Sequence, residues 1–70
     1  LGNLAEAEKL LRQALARMPD HEVAAHLGEV LWASGKQAEA REVWRKALAD
    51  TPDSDILRDT LKRLTGKVKP

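Results

Sequence analysis

Apolar residues recur along this chain with the period of a helix. Over residues 3 to 17, NLAEAEKLLRQALAR, the positions Leu4, Ala7, Leu10, Leu11, Ala14 and Leu15 follow the three-and-four spacing of one stripe. Glu6, Glu8, Lys9, Arg12 and Arg17 fall on the other side, with Glu8 and Arg12 four apart and able to pair. Asn3 stands where a capping side chain accepts a free amide, and Glu6 is three residues on to return the bond. Met18-Pro19 ends the pattern, because proline disfavours helical geometry in the residue before it.

A second helix is predicted from an Asp20 cap to about Ala33. Ala24, Leu27, Gly28 and Leu31 share one face, Val23 and Val30 widen it, and Trp32 borders it on the other side. Ser34-Gly35 is the turn into a third helix over about Gln37 to Ala49, with Ala40, Val43, Trp44, Ala47 and Leu48 inward. Lys36 occupies the capping position of that helix and is a poor cap, so its start should be less sharply defined. Thr51-Pro52 is the next stop. Asp53 or Ser54 then opens a fourth helix carrying Ile56, Leu57, Leu61 and Leu64 inward, with Gly66 as a C-cap. Residues 67 to 70, Lys-Val-Lys-Pro, lack periodicity and are expected to form a flexible tail. The expected fold class is all-α, with four helices whose short turns make neighbours antiparallel.

Composition narrows this picture. Seventy residues make one small domain, and a chain of that size buries only about 60% of its extended surface. The hydrophobic residues are almost all Ala, Leu and Val, with two Trp and no Phe or Tyr, a mixture that favours helix over strand. No cysteine is present, so no disulfide can staple the fold, and the redox compartment is left open. A net charge of +1 argues for neither nucleic acid nor an anionic membrane as partner. No apolar run approaches the roughly 20 residues needed to span a bilayer. The chain begins at Leu1 without Met. The expectation is a portion of a longer protein, with any targeting signal upstream.

Candidate chemistry is sparse. His21-Glu22 and His26 approach the H-E-x-x-H zinc pattern, but that pattern needs histidines four apart. These are five apart, about 140° around a helix, with no third ligand in view. They are read as helix-start and surface histidines, and no metal or other cofactor is expected. Ser34 and Ser54 fall in turn or cap positions, while Thr51, Thr60 and Thr65 have no His–carboxylate partnership. The chain is expected not to be an enzyme.

The strongest signal is internal. Displaced by 33 residues, Ala5, Glu6 and Ala7 fall on Ala38, Glu39 and Ala40, Leu11 on Trp44, Ala14 on Ala47, Leu15 on Leu48, and Pro19-Asp20 on Pro52-Asp53. A period in the low thirties with two helices per unit signals a solenoid of helical hairpins. The positions Ala24, Leu27-Gly28, Leu31, Ala40, Trp44, Ala47 and Pro52 then resemble the tetratricopeptide repeat, whose pattern runs W-x2-L-G-x2-Y, small Ala, aromatic, Ala and Pro. Two positions depart: Ala24 stands where the pattern has a large aromatic, and Leu31 where it has Tyr. Both are apolar, so the fold is kept while the interior contacts must differ.

The resemblance implies an α-α superhelix. Residues 1–19 would be the second helix of a truncated repeat, 20–52 a complete hairpin, and 53–66 a C-terminal capping helix. It implies a non-catalytic scaffold that binds a protein, a peptide or a partner helix in a concave groove. On the second helix the groove residues would be Glu22, Ala25, His26, Glu29 and Trp32, with Ala33 beside them. On the fourth helix they would be Asp59, Thr60 and Arg63. Trp32 would alternatively pack against helix four or a preceding repeat. Residues 20 to 35 carry −3 and residues 51 to 70 carry +2, so the groove should be acidic beside a basic end. That balance disfavours ligands held by a terminal carboxylate. The alternative function is homodimerisation through the uncovered edge of the first helix, at Leu4 and Leu11. The runs H-L-G-E-V-L-W and A-R-E-V-W-R-K-A-L are similar to bacterial members of the family. The ending more loosely resembles repeat-rich outer-membrane lipoproteins, and the compartment, cytoplasm or periplasm, stays open.

Overall fold

The computed structural model describes residues 3–66, so the expected tail over 67–70, and Leu1 and Gly2, lie outside the described residues. Four helices follow one another: α1 (Leu4–Arg17), α2 (His21–Ala33), α3 (Gln37–Asp50) and α4 (Asp55–Thr65). No strand occurs among the described residues. The boundaries lie within a residue or two of those the spacing predicts, because each end has a local cause. Asn3 Oδ1 accepts the Glu6 amide at 3.1 Å, and Asp20 Oδ1 accepts the Glu22 amide at 2.8 Å. Ser54, rather than Asp53, caps α4 by accepting the Leu57 amide at 3.1 Å. Lys36 makes no capping bond with its side chain. Its ammonium reaches instead to Glu8 of α1, 3.0 Å away.

The turn between α2 and α3 needs glycine. Gly35 has φ +85°, the left-handed region that a side chain disfavours, and Gly66 closes α4 at φ +75°.

The core is built around α2. Ala24, Ala25, Leu27 and Leu31 of α2 are buried with Ala40 and Trp44 of α3 and Leu57 and Leu61 of α4. Helix α2 packs on each of the other three helices, α3 also packs on α4, and the α1 backbone approaches only α2. Trp44 fits because residue 28 is glycine: a Cβ built there would sit 2.7 Å from Trp44 Cδ1 and closer still to Nε1 and Cε2. The indole occupies that gap, is 0% exposed, and donates Nε1–H to the Ala25 carbonyl at 3.4 Å.

Helix α1 contributes no buried residue. Leu11 and Leu15 are partly covered by the core, while Leu4 and Leu10 are 39% and 55% exposed. Charged side chains supply its remaining links. Arg12 donates to Glu8 at 2.8 Å, the predicted i,i+4 pair, and also to Glu39 of α3 at 2.8 Å.

Candidate partner-binding face

Helix α2 is amphipathic, so its polar side is set by the positions the core leaves over. Glu22 and His26 are exposed and Glu29 is half-exposed, three residues on one stripe of the helix. Helix α4 runs alongside, and the Arg63 guanidinium donates to Glu29. That bond raises the Arg63 pKa and keeps the group charged. His26 Nδ1 stands 3.8 Å from the same Glu29 carboxylate. Glu22, His26, Glu29 and Arg63, with exposed Asp59 nearby on α4, therefore form one continuous polar strip across two helices. The strip is less acidic than the charge of residues 20 to 35 implied, because folding brings Arg63 onto Glu29.

Two of the expected groove residues are elsewhere. Ala25 is 1% exposed and cannot present its side chain to a ligand. It lies three residues from Gly28 and seven from Trp32, on the edge of α2 that α3 covers. Thr60 is likewise 3% exposed, and its hydroxyl donates to the Ile56 carbonyl within α4. Trp32 is half-buried, and its aromatic and cationic neighbours come from α3. Its ring centroid is 5.8 Å from that of Trp44, and the Arg41 guanidinium lies over it at 5.6 Å. The contact with α3 was not anticipated, since a helical wheel places Trp32 beside the core but does not say which neighbour meets it.

The two histidines face different surroundings. His21 Nδ1 is hydrogen-bonded to the Ser54 hydroxyl, whose oxygen also accepts the Leu57 amide. His21 thus ties the start of α2 to the start of α4, 33 residues on, while His26 stays on the polar strip.

A recess on the other side of α2 escaped the sequence reading. A cleft of about 390 Å³ opens between α1 and α3, with Ala24 and Leu27 of α2 as its floor. Among the described residues no helix is long and apolar enough to cross a membrane.

Comparison with known proteins agrees with the helical-hairpin architecture. The tetratricopeptide repeat family matches residues 1–64. The chain is 70% identical over 69 residues to the TPR repeat-containing protein PA4667 of Pseudomonas aeruginosa, covering 99% of this chain and 12% of that relative. It thus spans about an eighth of the relative's length. Proteins of this kind are in general non-catalytic scaffolds for protein–protein interaction. With four helices in hairpin order, glycine and alanine at the close contacts and this match along nearly the whole chain, the protein belongs to the tetratricopeptide repeat family.

Proposed function

We propose that the strip formed by Glu22, His26 and Glu29 of α2 with Asp59 and Arg63 of α4 is part of a groove that binds a segment of a partner protein, without catalysis. The observation that carries this reading is the Arg63–Glu29 bond. It holds the exposed faces of two successive first-of-hairpin helices side by side, so that one extended segment or helix could lie across both. In this reading residues 1–19 are the second-helix part of a truncated repeat, 20–52 a full hairpin and 53–66 a cap. Glu22, Glu29 and Asp59 outnumber Arg63, which favours a basic or mixed-charge segment over one led by a carboxylate. Ala25 is left out of this face because it is buried. Trp32 enters as the half-buried border of the groove, held by Trp44 and Arg41.

A photo-crosslinking residue placed at position 22 or 26 of the full-length protein tests this. The expected result is a discrete crosslinked polypeptide from both positions and none from position 42 on the outer side of α3, with loss of the product in Glu29→Lys. Equal crosslinking from position 42, or none from 22 and 26, would sink the reading.

The exposure of Leu4 and Leu10 favours a second reading, self-association through α1. Sedimentation over a concentration series separates the two. Self-association predicts a dimer that Leu10→Glu dissociates, and a monomer at every concentration removes it.

A further inference from the structure

We propose that Arg63 is a built-in competitor on the polar strip: it occupies, on Glu29, the seat that a lysine or arginine of the partner segment takes on binding. This rests on the reading of the strip as a groove for a partner. Residues 20 to 35 contain no Lys or Arg, so α2 cannot neutralise Glu29 from its own length. The cation comes instead from α4, 34 residues on, where the Arg63 guanidinium donates to Glu29 Oε2. A guanidinium from a separate helix already sits on this carboxylate, and that marks the kind of group the seat accepts.

The seat is open to exchange. The pair lies at the surface, with the Arg63 side chain 54% exposed and that of Glu29 31%, and an exposed ion pair holds by only a modest margin. The packing of the two helices does not depend on it, because Leu57 and Leu61 of α4 are buried in one cluster with the core residues of α2. Asp59 offers Arg63 a second partner one turn earlier on α4, in the acid-before-base order that suits an i,i+4 pair. It already acts on the Arg63 charge, behind Glu29. A partner cation arriving at Glu29 therefore exchanges one ion pair for another, and Arg63 turns back to Asp59 without being left unpaired. Glu22 is exposed and forms no ion pair among the described residues. It stands two turns before Glu29 on the same stripe, about 10 Å along the helix axis. The partner is accordingly a segment with two basic side chains about 10 Å apart, one for each carboxylate. Three residues in polyproline II conformation span about 9 Å, so lysines at i and i+3 of an extended segment meet this spacing.

The test titrates the full-length protein by calorimetry at low salt with a capped peptide of four Lys-Ala-Ala units and with its Glu-Ala-Ala counterpart. The lysine peptide is expected to bind the unaltered protein and the glutamate peptide not. Arg63→Gln should tighten the lysine peptide about three- to fivefold, the range an exposed ion pair allows. Arg63→Lys, which keeps a cation, should restore the original affinity. Were Arg63 only a strut between α2 and α4, its removal would weaken binding or leave it unchanged. Lys62→Gln removes the same charge from the neighbouring position of α4, without a bond to Glu29, and should tighten binding less. In a Glu29→Gln background the gain from Arg63→Gln should largely vanish. An affinity unchanged or lowered by Arg63→Gln, an equal gain in Lys62→Gln, or a gain that persists without Glu29 overturns the proposal. The groove reading survives any of these if Glu22→Gln still weakens the lysine peptide. No binding of that peptide to the unaltered protein or to Arg63→Gln also overturns the competitor, and crosslinking from positions 22 and 26 then decides the groove by itself.

Discussion

Adding a single carbon at residue 28 would drive it into the Trp44 indole, and two opposing effects meet there. In a helix interior, Gly→Ala ordinarily stabilises by about 1 kcal/mol. Overpacking a filled contact costs about 1–3 kcal/mol, and here the obstructing group is a rigid ring that is 0% exposed. Gly28→Ala is therefore expected to destabilise, by about 0.5–2 kcal/mol in urea denaturation. In a Trp44→Leu background, where the ring is gone, the same change should become neutral or stabilising. A stabilising Gly28→Ala in the unaltered protein would show that the indole moves aside freely. Trp44→Ala, which empties the largest buried volume, is expected to cost about 3–5 kcal/mol. That is a large part of the stability of a domain this small.

At the level of the element, Ser54 links secondary structure to packing. It is 3% exposed, caps α4 and holds His21 at the start of α2. Ser54→Ala removes both bonds and leaves the Leu57 amide without its side-chain acceptor, at a cost of about 1–2 kcal/mol. Amide exchange in the first turn of α4 should accelerate before that of α3; unchanged exchange there would remove the cap from the account. The tie between α1 and the α2–α3 turn depends on ionisation instead. Glu8 is held below its ordinary pKa of 4.5, first by the hydrogen bond from Lys36 and next by that from Arg12. A carboxylate with a lowered folded pKa contributes stability above its unfolded value and loses it as pH falls through the folded value. Glu8→Gln should thus leave a shallower acid limb below about pH 4.5, with the difference shrinking in high salt because the groups are near the surface. An acid limb of unchanged slope would count against the tie.

For the molecule as a whole, stability should be graded from α2 outward. Helix α2 is covered by three neighbours, whereas α1 buries no residue, approaches only α2 along its backbone, and is tied to α3 by the Arg12–Glu39 pair. In this chain studied by itself, amide exchange in α1 is expected to report a lower opening free energy than in α2 and α3. Uniform protection across the four helices would mean that α1 is more strongly docked than its exposed leucines imply. The same uneven cover leaves three different kinds of surface exposed. The polar strip lies on one side of α2, the cleft on the other, and the uncovered edge on α1.

Much of this was legible in the residues themselves. Helix ends depend on Asn3, Asp20, Pro19, Pro52 and Gly66 acting on their own neighbourhoods, and the inward faces follow from a 3.6-residue period, so both can be read locally. The 33-residue recurrence did the same for the architecture, since copies of one hairpin can bury their faces only by stacking. What the tertiary structure decided was which partner each border position meets. Ala25 and Thr60 looked outward on a wheel but are buried, because a wheel has one core direction whereas α2 meets three neighbours and α4 meets two. Trp32 went to Trp44 and Arg41, and Lys36, a failed cap, to Glu8. Arg63 met Glu29 across 34 residues of chain, a distance over which local periodicity carries no information. The cleft between α1 and α3 could be seen only in three dimensions, because it depends on α1 approaching α2 and not α3.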